Sequence, residues 1–355
     1  MKKLHGILLP IQMVENALRV LRKMKLVNDG FEFRRTERDV LVPLFREPSD
    51  TERSVIREQL GDVEFQSASF AEAKVGPRNL QETVRGHIPD DLISKLPRSF
   101  DIIGDIAVLE LPKGMERFSS AIGNGILKVN PHIRLVLGKS SDIAGTFRTR
   151  KFEVIAGVGG TETIHREFSC RFHLDVATVY FNPRLSHERM RIAQQVKKGE
   201  WVVDMFAGVG PYSILIANQQ PQSKVYSVDL NPAAIKYLKE NTLTNGVADR
   251  VIPMLGDARR LAGKELRGIA NRIIMNLPSE ARNYLDAAMQ ILKDEGGMMH
   301  YYTFAGRGVS TDIIRDSFRS AVENQKRKVE SFRFCRVIKE IAPTRVQVAI
   351  DALVR

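Results

Sequence analysis

The 355-residue chain has two cysteines, Cys170 and Cys335, and neither has a neighbour at the CxxC spacing that zinc sites use. Two cysteines build no disulfide framework, so both are expected to be structural thiols in a reducing compartment. Long apolar runs are absent: nothing approaches the roughly 20 consecutive apolar residues that cross a bilayer. Residues 1–10, MKKLHGILLP, start like the charged end of a secretory leader. Their apolar run is short and no small-residue cleavage site follows, so a cytoplasmic protein with no membrane contact is expected. Internal repeats and low-complexity tracts are missing too. Acidic residues are the minority, 42 Asp+Glu against 54 Lys+Arg, a net charge of +12. That excess points to a phosphate-bearing partner, the plain alternative being a generically basic surface.

At about 150 residues per domain the length suggests two to three domains. Residues 12–27 space Val14, Leu18, Leu21 and Met24 three to four apart, which predicts a helix stopped by Gly30. A short strand at 40–44 and a second helix starting near Ser49 and Thr51 complete a small α/β unit, residues 1–68. Periodicity lapses over 67–78, where a Gly-Pro pair suggests a linker. From 78 to 171 the pattern fits an α+β module. Its strands fall at 100–111, broken at Gly104-Asp105, and at 132–137 and 152–156, with a helix over 114–126. Over 172–355 apolar strand-like runs at 201–206, 224–228, 251–254, 271–275, 297–302 and 345–353 alternate with helical segments. That alternation predicts a doubly wound α/β sheet with mostly parallel strands.

The most specific local signal is Val202-Val203-Asp204-Met205-Phe206-Ala207-Gly208-Val209-Gly210-Pro211. A strand ends in an acid, and a Gly-x-Gly turn without β-carbons leads into a helix, so backbone can approach a ligand closely. The next strand ends in Asp229, where a carboxylate can accept both hydroxyls of a ribose. A third strand is followed by Gly256-Asp257-Ala258, which puts another carboxylate at the same edge. The third glycine of a dinucleotide fingerprint is replaced by Ser213. S-adenosylmethionine (AdoMet), which carries no phosphate, suits these residues better than a dinucleotide, and a ligand-free sheet is the third reading.

The fourth strand ends in Asn276-Leu277-Pro278-Ser279. An Asn at a strand tip can orient a planar base, although a plain Asn turn is equally simple. Methyltransferases acting on exocyclic amines carry Asn-Pro-Pro-aromatic here; the missing second proline and aromatic point to a different target atom. Upstream, Tyr180-Phe181-Asn182-Pro183-Arg184-Leu185-Ser186-His187-Glu188-Arg189 reads as an Asn-Pro turn opening a helix, with Ser186 as N-cap. Glu188 in the first turn is otherwise read as dipole compensation. Gly145 to Lys151 gathers three cations around Phe147, either a solvated basic loop or a contact to phosphate or base.

Taken together, Gly145–Arg150, Tyr180–Arg189, Asp204–Pro211, Asp229-Leu230-Asn231-Pro232, Asn276-Leu277-Pro278 and His300-Tyr301-Tyr302 resemble the archaeal and eukaryotic tRNA (guanine-37-N1)-methyltransferases. The resemblance covers nearly the whole chain. It implies a Rossmann-like class I AdoMet domain preceded by two smaller α+β domains, the first touching the outer corner of tRNA and the last reading the anticodon loop. It implies Glu188 as general base, Arg148 stabilising charge at O6, Tyr180 as a pocket wall and Asn276 holding base and cofactor. Arg189, Asp204, Phe206, Gly208, Gly210, Asp229, Leu230, Asp257 and Ala258 would line AdoMet, with no metal, in a monomer. Neutral guanine holds a proton on N1, so methylation there needs a base for the proton and a cation for charge growing at O6. The neighbouring alternatives are a wybutosine-pathway tRNA enzyme, transferring aminocarboxypropyl or methylating C7 of the tricyclic base, and a non-catalytic tRNA-binding protein.

Overall fold

The computed structural model describes residues 1–73, 77, 79–140 and 150–355. Arg148 lies outside the described residues, as does part of the expected linker. The described chain divides into two compact units, Met1–Thr83 and Val84–Arg355.

The first unit is an antiparallel sheet of β1 (Lys2–Pro10), β2 (Arg34–Arg35), β3 (Asp39–Pro43) and β4 (Glu64–Phe70), ordered β2-β3-β1-β4, with helices α1 (Val14–Lys23) and α2 (Asp50–Leu60). Ile7 and Leu9 of β1, Leu21 of α1 and Ile56 of α2 are fully buried in its core. Leader-like residues 1–10 thus form the strand between β3 and β4, and the expected linker begins only after β4. Helix α1 stops before Gly30. Lys25 takes a left-handed φ of 56°, its N–H donates to Arg22 O at 3.0 Å and that of Leu26 donates to Leu21 O at 3.0 Å. This is a Schellman end built on lysine instead of glycine. The predicted start of α2 holds: Ser49 and Glu52 form a capping box, with Glu52 Oε2 accepting the Ser49 N–H at 2.9 Å.

A short helix, α3 (Leu80–Val84), crosses the division between the units. The second unit opens with a sheet ordered β5-β6-β7-β8, made of β5 (Asp101–Ile103), β6 (Ile106–Leu109), β7 (Leu135–Lys139) and β8 (Phe152–Gly157), packed on α4 (Ser119–Val129). A hairpin of β9 (Glu162–Glu167) and β10 (Cys170–Asp175), absent from the sequence reading, follows.

Seven strands then form one sheet: β11 (Trp201–Asp204), β12 (Lys224–Asp229), β13 (Val251–Leu255), β14 (Arg272–Met275), β15 (Gly297–Gly306), β16 (Val329–Ala342) and β17 (Arg345–Val354). Their order is β13-β12-β11-β14-β15-β17-β16. The first five are parallel, and β17 runs antiparallel between β15 and β16. Helices α5 (Ser186–Ala193), α6 (Pro211–Gln219), α7 (Pro232–Thr244), α8 (Ala258–Ala262), α9 (Leu285–Ile291) and α10 (Thr311–Glu323) cover both faces. Consecutive Val202 and Val203 point into different core clusters, as the period of two along a strand demands. Burial on both faces explains why these strands read as continuous apolar runs. The Rossmann-like architecture is as expected, and strand order reverses between β11 and β14, which opens a crevice at the strands' C-terminal ends.

Candidate active site

A cleft of about 700 Å³ opens at that reversal point, lined by the tips of β11, β12 and β14 and by the loop after β13. Eight of the expected residues line it: Tyr180, Phe206, Gly208, Asp229, Leu230, Asp257, Ala258 and Asn276. The turn between β11 and α6 shapes one wall. Gly208 has φ 56°, and its N–H donates to Asp229 Oδ2 at 2.7 Å. Gly210 has φ 90°, and a Cβ there would collide with Leu238 Cδ1. Both positions therefore need glycine.

Asp229 ends β12. Besides Gly208, the Asn231 N–H donates to its Oδ1 at 2.8 Å, so the carboxylate is held in place with lone pairs to spare. Burial pushes it above the usual aspartate range even though the N–H groups of Asn231, Gly208 and Leu230 favour its charged form. Asp257 caps α8 by accepting the Arg259 N–H at 2.9 Å. Beside it Phe206 meets Tyr284 edge to face at 5.0 Å, and Arg259 stacks on Tyr284 at 4.3 Å, an apolar wall suited to a planar ring.

Asp204 lies beneath the turn, fully buried. Burial lifts its carboxyl to about 7 against the pull of Ser213 and the Phe206 N–H. The Ser213 hydroxyl donates to Oδ2 at 2.9 Å, while Oδ1 has no hydrogen-bond partner among the described residues. The serine in the third-glycine position thus serves the aspartate. With Asp229, Asp257 and Glu280 along the cleft, a pyrophosphate would meet acids, whereas a cationic sulfonium with ribose hydroxyls suits them. The donor set fits AdoMet and not a dinucleotide.

Glu188, Arg189, Asp204 and Gly210 do not line the cleft. Glu188 is 8% exposed in the first turn of α5. Arg191 grips it with Nε at 2.8 Å and Nη2 at 2.7 Å, and the Tyr302 hydroxyl donates to it at 2.7 Å. Arg189, expected against the cofactor, is instead buried with Nε donating to Glu167 Oε1 at 2.8 Å and Nη1 donating to Asn182 O at 3.1 Å. The cap is also displaced. Ser186 is the first residue of α5, and Asn182 caps the short 3-10 turn before it, accepting the Arg184 N–H at 3.1 Å.

A cluster of cations in the cleft was not singled out from the sequence. Lys139 of β7, Arg150, Arg184 and Lys339 of β16 line the cleft there, with Asp101 among them. Burial pushes the Lys139 and Lys339 ammonium groups below the usual lysine range, and neighbouring cations add to it. Arg150 and Arg184 had a signal, their places in the basic 145–151 loop and in the Asn-Pro turn; Lys339 lies in a strand that no expectation included. Both cysteines are free and buried, and Asn218 Nδ2 lies 3.2 Å from Cys170 Sγ. Among the described residues no group of His, Cys, Asp and Glu is placed to hold a metal ion, and no helix is long and apolar enough to cross a membrane.

Comparison with known proteins places these features. Residues 163–330 match the TRM5/TYW2 methyltransferase domain, and residues 80–161 the TYW2 N-terminal domain. The chain is 42% identical over 288 residues to the tRNA (guanine(37)-N(1))-methyltransferase Trm5b of Pyrococcus abyssi, covering 81% of this chain and 84% of that one. It is 33% identical to Trm5b of Methanocaldococcus jannaschii, covering 95% of each. To the tRNA 4-demethylwyosine(37)-methyltransferase Taw21 of Saccharolobus solfataricus it is 35% identical, covering 72% and 93%. Among solved structures, P. abyssi Trm5b superposes with a TM-score of 0.71 at 36% identity, over 99% of both chains. An aTrm5 in complex with tRNALeu gives 0.69 at 30%, again over 99% of both. M. jannaschii TYW2 in complex with AdoMet gives 0.56 at 29%, over 72% of this chain and 99% of that one.

Proposed function

The chain belongs to the TRM5/TYW2 methyltransferase family, and on that premise we propose that it methylates N1 of guanine-37 in the anticodon loop of tRNA, with AdoMet as donor. The observation that carries this reading is the mixed lining of the cleft: Gly208, Asp229 and Asp257 at the strand tips, together with Lys139, Arg150 and Lys339. The end-to-end match to Trm5b chains supports it over the TYW2-type reading, whose solved relative matches a smaller share of this chain.

When bound, AdoMet supplies an electrophilic sulfonium methyl. Asp229 would hold ribose hydroxyls, and Leu230, Ala258, Phe206 and Asp257, which line the same cleft, would receive the adenine. The guanine must leave its stack to be reached, and Tyr180, 41% exposed at the cleft, offers a ring face to receive it. Asn276 orients the base edge. Glu188 takes the N1 proton, and Arg148 stabilises the charge that builds at O6. The cation cluster faces the phosphates of the anticodon loop. The unit Met1–Thr83 contacts the outer corner of tRNA, and the protein works as a cytoplasmic monomer.

A second reading is favoured by the identity to Taw21: methylation of the tricyclic wyosine precursor at the same position. Nucleoside mass spectrometry on transcripts incubated with protein and AdoMet separates the two. One-methylguanosine from a guanine-37 transcript, and none from an adenine-37 transcript, is expected; product only on tRNA carrying the tricyclic base would replace the first reading by the second. Glu188→Gln is expected to slow transfer far more than it weakens AdoMet binding. A rate near wild type removes Glu188 from the base role.

A further inference from the structure

Glu188 is the first member of a buried chain of polar groups that runs across β17, β15 and β14 along one face of the sheet. Its partner Arg191 is shared: Nη1 and Nη2 also reach the two oxygens of Asp351 on β17, the latter at 3.1 Å. Gln195 Nε2 donates to Asp351 Oδ2 at 3.1 Å, and His300 Nδ1 lies 2.7 Å from Asp351 Oδ1. On the far side of His300, Arg272 Nη1 lies 2.7 Å from Nε2, and Arg272 forks onto Glu200. An arginine can only donate, so His300 accepts at Nε2, carries its hydrogen on Nδ1 and donates to Asp351. Burial favours the same neutral ring.

Arg191 therefore stands between two carboxylates. A carboxylate held by an arginine fork gives up basicity, and a base that must take a proton needs that grip loosened. Burial alone would raise Asp351, yet donors from His300 and Arg191 hold it well below the usual range, so it stays anionic and competes for the guanidinium. We propose that Arg191 is a positioning residue whose guanidinium, divided between Glu188 and Asp351, sets how readily Glu188 accepts the substrate proton. Retreat of the fork toward Asp351 frees Glu188; a fork given wholly to Glu188 disables it. The inference rests on the reading of Glu188 as general base.

Among the described residues, the neighbours Tyr302, Tyr212, Arg189 and Arg336 do not supply this control, and Asp204, lifted to about 7 by burial, reaches this cluster only through Tyr212. Tyr302 and Tyr212 are pushed up by burial and stay protonated, with the Tyr212 hydroxyl donating to Tyr302 at 3.2 Å. Arg189 is occupied by Glu167, and Arg336 of β16 stacks on the same Phe334 ring as Arg191, at 5.6 Å against 3.9 Å.

The test is the pH profile of single-turnover methyl transfer to a guanine-37 transcript, from pH 5.5 to 9, for the full chain. Arg191→Met leaves Glu188 without its cation, and the acid limb is expected to move to higher pH. Gln195→Leu removes one donor from Asp351, which then draws harder on Arg191; the limb moves up, by less than in Arg191→Met. Asp351→Asn gives the fork wholly to Glu188, so the plateau rate falls several-fold and the limb moves down. Far-UV circular dichroism and AdoMet titration confirm each fold, and if Arg191→Met does not fold, the opposite signs of the other two decide. An acid limb unmoved in Gln195→Leu, or moved in the same direction by Gln195→Leu and Asp351→Asn, overturns the proposal. Glu188→Gln runs alongside. If it transfers at the wild-type rate, the base reading itself fails; if it is slow while the limbs stay fixed, only the control by Arg191 fails.

Discussion

Ser213 donates its hydroxyl to Asp204 at 2.9 Å from the first turn of α6, so the residue that breaks the dinucleotide fingerprint is spent on an aspartate whose Oδ1 has no hydrogen-bond partner among the described residues. Burial lifts Asp204 to about 7, whereas the unfolded chain releases that proton near 3.9. A raised folded value gives stability that is fully present below about pH 4 and lost as pH rises toward 7. Relative to Asp204→Asn, the wild type should lose stability across that window by up to about 4 kcal/mol, read from urea unfolding at each pH. A constant difference between the two proteins would show that Asp204 is ionised in the fold.

Asp229 organises the cofactor wall through the N–H groups of Gly208 and Asn231. Its replacement by alanine removes a charged acceptor, typically 1.5–3 kcal/mol, so AdoMet affinity should fall about 10–100-fold by calorimetric titration. Unchanged affinity would place the ribose elsewhere.

Gly210→Ala combines a left-handed φ with a collision against Leu238. About 2–4 kcal/mol of destabilisation is expected, together with weakened AdoMet binding. A melting temperature within 1 °C or so of wild type would mean the turn shifts freely.

Lys339 and Arg150 line the same cleft as Asp229. If they meet phosphates, alanine at either should lower the slope of log affinity for tRNA against log salt by about 0.7–0.9. An unchanged slope with weaker binding at every salt concentration would point to base or ribose contacts instead.

What the sequence made legible follows from locality. The glycine turn, Asp229, Asp257 and Asn276 each sit at the end of an apolar strand, and a parallel sheet collects such ends along one edge. The cation cluster depends on residues far apart in the chain. Lys139 comes from β7 and Lys339 from β16, whose 14 residues mix charges with apolar positions and pass through four register shifts along β17. A pattern of period two does not survive such bulges. Helix α1 ends at a lysine because two backbone hydrogen bonds hold Lys25 left-handed, a choice the glycine rule does not anticipate. The pairing of Glu188 and Arg191 is visible as a spacing of three on one helix, but the claim of Asp351 on the same arginine, 160 residues away, is not.

The strand that brings Asp351 also has a place in time. β17 lies between β15 and β16, although both are synthesised before it. As the polypeptide leaves the ribosome, β15 presents an open edge and β16 has no partner in the sheet until residues 345–354 emerge and insert. Through that interval the exposed β15 edge is a place for misassociation, and the guanidinium of Arg191 has only Glu188 to hold. Closure of the β15 edge therefore waits for β17, and nonsense mutations that remove β17 are expected to yield aggregates rather than a slow enzyme.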